Sequence, residues 1–167
     1  MVISSSRPFG FYVLSCIYLA AGAGSLELAS SDPRVQPRLD YNYLAESFDR
    51  ERLREAVRIT LDLLEHPAFK EIVAERIGPT DAELESDAAM DDWMARVIAT
   101  SHHVSSTCKM GPASDALAVV DQCARVHGLE NLRVADASIM PDCVRANTNA
   151  STMVIGERVA DFIRQGR

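Results

Sequence analysis

The sequence has no cysteine pair at a metal or redox spacing. Its four cysteines, Cys16, Cys108, Cys123 and Cys143, stand apart without a CxxC unit, which excludes a zinc ribbon and a dithiol motif and leaves reduced structural thiols. An excess of basic residues is lacking too. The formal net charge is -7, and with no basic stripe to neutralise phosphates, nucleic acid and other polyanions are excluded as partners. No apolar run reaches the roughly 20 residues of a membrane span. The strongest run, residues 9–23, is broken by Gly10 and Ser15, follows a single Arg7 and ends in AGAG. It can be read as a signal peptide with a small-residue cleavage site, as buried strand, or as an ill-defined chain start. Repeats and low-complexity linkers are absent, and convincing strands are few.

What is present has the composition of one ordinary globular domain: 167 residues, 47% hydrophobic and 25% charged. Residues 25–28 (SLEL) alternate like a half-buried strand, and residues 30–33 (SSDP) supply a turn. Val35, Pro37 and Leu39 alternate with polar neighbours, as in an extended edge segment where Pro37 needs no ladder partner. Tyr41, Tyr43 and Leu44 form an aromatic anchor before the helical part. From Asp49, a plausible N-cap, Leu53, Ala56, Val57, Leu61 and Leu64 mark a helix face, with Arg50, Arg54, Arg58 and Asp62 mostly opposite. Residues 67–77 predict a second helix opened by Pro67 and closed by Gly78-Pro79. Thr80 and Glu83 form a capping box. The acidic residues 81–92, read as a solvated face, lead into a third helix around Trp93, Met94, Val97 and Ile98.

Residues 132–158 concentrate the remaining signals. Leu132, Val134 and Ala135 suit a brief buried strand ended by Asp136 and Ser138. Pro141, an Asn-Thr-Asn triplet and Ser151-Thr152 then lead into an amphipathic helix whose N–H groups face whatever the loop encloses. A second polar cluster, residues 101–112 (SHHVSSTCKMGP), offers His102, His103 and Cys108. Adjacent histidines on a strand point to opposite faces, so His102 and His103 do not share one ion, and Cys108 has no partner at a metal spacing. A Cys108–His103 nucleophile pair of hydrolase type stays open beside a structural role for both. The mixture of weak strands, helical middle and final strand-loop-helix is α+β.

The order HVSSTCKMG, VVDQCARVHGLENLRVADASIMP, NTNASTMVIGERVADFI, with LELASSDPRVQPRLDYNYL upstream, resembles the C-terminal region of the glucose–methanol–choline (GMC) oxidoreductases, FAD-dependent alcohol oxidases and dehydrogenases. The resemblance covers residues 24–165 and is nearest to the choline dehydrogenase-like members, whose active-site pair is His and Asn. It implies a partial substrate-binding domain, residues 24–167, with a C-terminal strand-loop-helix that returns to the FAD domain; the full-length family is α/β. Residues 1–23 depart from the family pattern.

The resemblance also implies site residues. The His opening the HxxxTCxMG-like motif falls on His103, and the position eleven residues beyond the Asp of RVADAS falls on Asn147. His102 receives no role. Asn149, Ser151 and Thr152 match the part lining the flavin ring, and Asp136 and Ala137 the part near its phosphates or ribityl chain. His103 would take the hydroxyl proton of a small-molecule alcohol as base, and Asn147 would donate to and orient the substrate oxygen.

The family's FAD-binding Rossmann-type unit opens with GxGxxG and an acidic ribose contact about 20 residues on. The sequence has no such motif. The nearest feature, Gly22-Ala-Gly24, runs into SLEL where a phosphate loop should open a helix. The expectation is therefore the C-terminal part of a larger enzyme, holding FAD by non-covalent contacts from one side only. A separate FAD-domain chain could complete it; the alternative is a non-catalytic remnant or interaction module. A cytoplasmic location is expected.

Overall fold

The computed structural model describes residues 10–167; residues 1–9, with the Arg7 and Phe9 of the signal-peptide reading, lie outside the described residues. The chain forms two compact units, one up to Ser101 and the other His102–Arg167.

In the first unit, residues 10–24 form neither helix nor strand, so the buried-strand reading of the apolar run fails there. Its backbone is stitched to a polar row on α1 (Ser47–Leu64). The Asp49 carboxylate accepts from the Ala21 and Gly22 N–H groups at 3.1 and 2.8 Å. Arg52 donates to the Tyr18 and Leu19 carbonyls. Asp49 is thus buried inside the first turn, while Glu46 occupies the N-cap position expected for Asp49. A carboxylate with two amide donors and Arg52 beside it has its burial compensated.

The antiparallel pair β1 (Ser25–Glu27) and β2 (Arg38–Asp40) sets Leu26 opposite Leu39. All six residues are exposed, so the half-buried strand expected at 25–28 lacks a core face. Helix α2 is one turn, Pro67–Lys70, capped by the His66 side chain. The second helix expected over 67–77 stops because Ile72 and Ile77 stay exposed, and one turn with no buried face does not propagate. Thr80 and Glu83 form the expected capping box of α3 (Asp81–Leu84). Ser86 then caps α4 (Asp87–Val97).

Leu53 and Val57 of α1 pack against Met90, Trp93 and Met94 of α4 to form this unit's core. Around it, Arg54 donates to both Asp91 oxygens at 2.7 and 2.8 Å, and Arg58 reaches Asp87 at 2.6 Å. The acidic face read as solvated is in part the partner of the arginine face of α1.

The second unit has little regular structure: isolated bridges, a 3-10 turn Ala137–Ile139, and α5 (Asn149–Arg164). The brief buried strand expected at 132–135 is reduced to one bridge, Arg125 with Arg133, and Leu132 is exposed. Ala124 takes a φ of 64°, which breaks strand geometry opposite it. Val120, Ala124, Ile139 and Val159 make a second core, with Met110, Val134 and Ile155 packed on it. Among the described residues no helix is long and apolar enough to cross a membrane.

Candidate functional site

The second unit builds its site from two loops and one helix start. Residues 106–110 run alongside the 3-10 turn. The N–H groups of Ser106, Cys108 and Met110 donate in succession to the Ala137, Ser138 and Ile139 carbonyls at 3.3, 2.9 and 2.9 Å. Donors two residues apart thus meet acceptors one residue apart along the tight 3-10 turn. The turn is started by Asp136, whose Oδ1 accepts from the Ser138 N–H and hydroxyl at 2.8 and 2.5 Å. It is held down by Ile139 and Met140, both buried.

The tail of the 101–112 cluster fixes the loop that follows. The Lys109 ammonium lies 2.8 Å from Asp115 and, with the Leu117 N–H, holds that carboxyl below the usual carboxylate range. The Gly111 N–H donates to the Val120 carbonyl, and the Gly111 carbonyl lies 3.1 Å from His127 Nε2. A Cβ at Gly111 would come within 2.9 Å of the Ala118 methyl, so glycine permits this close approach.

At the other end of the cluster, the half-buried His103 places Nδ1 3.1 Å from the Thr148 hydroxyl. Thr148 is 8% exposed and stands immediately before α5. Its side chain makes no capping bond. Its carbonyl accepts instead from the Thr152 N–H and hydroxyl at 2.9 and 2.8 Å. The helix begins at Asn149, two residues before the start near Ser151 that the sequence suggests. The site therefore ties His103 to the residue lying between Asn147 and Asn149.

Asn147 and Asn149 are exposed, and Ser151 and Thr152 are half-buried in the first turns of α5. Ser151 borders an apolar concavity of about 510 Å³ lined by Met140, Val144, Val154 and Ile155. Asp136 is exposed and Ala137 half-buried, one step from the His103 segment through Ser106. His102 takes a φ of 63° rather than the strand geometry on which the two-face argument for the His pair was based. Sequence reasoning passed over Thr148. The only signal was a Thr at a cap position, and that signal points to a capping role it does not perform.

The sequence profile of the family described as GMC oxidoreductase matches residues 20–156. The chain is 43% identical over 161 residues to oxygen-dependent choline dehydrogenase 1 of Chromohalobacter salexigens, covering 96% of this chain and 29% of that protein. It is 43% identical over 141 residues to the oxygen-dependent choline dehydrogenase of Klebsiella pneumoniae, covering 84% of this chain and 25% of that one. Among solved structures, pyridoxine 4-oxidase from Mesorbium loti superposes with a TM-score of 0.72 at 33% identity, over 85% of this chain and 27% of the other. Formate oxidase of Aspergillus oryzae superposes with a TM-score of 0.78 at 31% identity, over 89% and 26%. The chain thus spans about a quarter of the length of the relatives it matches. It belongs to the GMC oxidoreductases and carries their C-terminal region.

Proposed function

We propose that the chain supplies the active-site wall of a flavin-dependent oxidoreductase acting on CH–OH groups, with His103 as the base and Asn147 positioning the oxygen of a primary or secondary alcohol. The observation that carries this reading is the 3.1 Å contact between His103 Nδ1 and Thr148 Oγ1, which links residues 45 apart and brings the imidazole to the chain neighbour of Asn147. Neutral imidazole can accept a hydroxyl proton near pH 7. A side-chain amide does not titrate there, but its N–H₂ can donate to an oxygen on which negative charge grows.

The residues present fit FAD. The first turn of α5 has no capping side chain of its own, so its amide N–H groups, carrying roughly half a positive charge between them, suit the electron-rich edge of a flavin ring. Asn149 and Ser151 make no side-chain hydrogen bond among the described residues and would serve the ring from the same turn. The Thr152 hydroxyl is turned back onto Thr148, so Thr152 would contribute through its backbone. The Asp136 carboxylate already accepts from Ser138. Its charge disfavours phosphate and favours a donating ribityl hydroxyl, while Ala137 adds backbone only. When bound, the flavin supplies the hydride acceptor.

The test is reconstitution with a chain carrying an N-terminal FAD domain, followed by alcohol-dependent dye reduction. His103→Ala is expected to lower turnover by about 10²–10⁴-fold, and Asn147→Ala by about 10²–10³-fold. Turnover retained in His103→Ala overturns the reading. The second reading is a non-catalytic module. A reconstituted complex that holds flavin yet reduces no dye with any alcohol would establish it.

A further inference from the structure

We infer that Thr148 is a positioning residue for His103: its hydroxyl accepts the Nδ1–H of the imidazole, holds the ring in that tautomer, and leaves Nε2 as the basic nitrogen. This rests on the reading of His103 as the base. The direction of the bond follows from that role, and three observations carry the contact itself. The hydroxyl lies 3.1 Å from Nδ1, and the residue is 8% exposed, so water competes poorly for the contact. Thr148 also occupies the place where threonine ordinarily caps a helix, yet its backbone is helical, at φ -75° and ψ -16°, and its side chain caps nothing. Finally, its carbonyl is clamped by both the N–H and the hydroxyl of Thr152, which fixes the backbone carrying the hydroxyl.

A neutral imidazole has one donor and one acceptor nitrogen, so a partner on one nitrogen decides the character of the other. A base oriented by a third group is the general arrangement for proton abstraction. Were Thr148 to donate to Nδ1, the proton would sit on Nε2, and the ring would offer a donor where the alcohol proton must be accepted.

The tautomer can be read directly. In the full 167-residue chain, ¹⁵N spectra recorded above the imidazole titration report the protonation of each ring nitrogen, with His103 assigned by its loss in His103→Gln. The wild-type ring is expected to be mainly Nδ1–H. Thr148→Val should shift it towards the Nε2–H form that free histidine favours, and Thr148→Ser should restore it, with α5 amide shifts reporting that the helix persists. A wild-type ring that is mainly Nε2–H overturns the proposal, as does an unchanged tautomer in Thr148→Val. If Thr148→Val does not fold, the wild-type spectrum decides alone. No cofactor or substrate enters this measurement, so its outcome is separate from that of the dye-reduction assay.

Discussion

Gly24 shows how one residue can settle between two readings of a motif. As the end of Gly22-Ala-Gly24 it is the nearest approach to a phosphate loop in the sequence. In the structure a Cβ there would overlap the Asp40 carbonyl oxygen, so the missing side chain serves the close approach of two backbones at the β1–β2 pair. Gly24→Ala should therefore lower stability by about 1–3 kcal/mol, read as a drop in urea midpoint. The motifs that carry the proposed pair, His103 and Asn147, were legible in the sequence. Thr148 was not, because its partner lies 45 residues away and local rules assign its hydroxyl to the adjacent helix. The chemistry of a side chain is written locally, but its contacts are set by the fold.

Among the elements, the capping box of α3 gives a pH-dependent prediction. The Thr80 N–H, with help from the Thr80 hydroxyl and Arg96, holds the Glu83 carboxyl below the usual glutamate range. A carboxyl lowered in the folded state contributes stability that is present above its unfolded pKa of about 4.3 and is lost as pH falls through the folded value. Helix content followed by circular dichroism should lose an acid-side component in Glu83→Gln, which keeps a capping side chain and cannot titrate. The same titration phase in both proteins would contradict this. Thr80 and Glu83 were readable because a capping box is local. The extent of α2 was not. Pro67 marks its start, but how far it runs depends on whether Ile72 and Ile77 find a surface to cover, and both stay exposed. The pairing of Arg54 with Asp91 was equally hidden, since each helix alone shows only a charged face.

For the molecule as a whole, the α+β mixture was legible from the change of period along the chain, whereas the second unit was not. Its small core is gathered largely from loop residues joined by single bridges and loop hydrogen bonds, which have no periodic signature. With about a quarter of its relatives' length and no GxGxxG motif, the chain alone is expected to bind FAD weakly or not at all. Incubation with FAD followed by desalting should return colourless protein, and stoichiometric yellow flavin would refute this. The start of α5 adds a thermodynamic consequence. A threonine cap is worth about 0.5–2 kcal/mol, and Thr148 directs its hydroxyl to His103 instead. Fraying of the first helical turn therefore competes with any ligand that accepts from those amides. Occupancy and local order become linked equilibria, and hydrogen exchange at residues 150–152 would slow as the site fills.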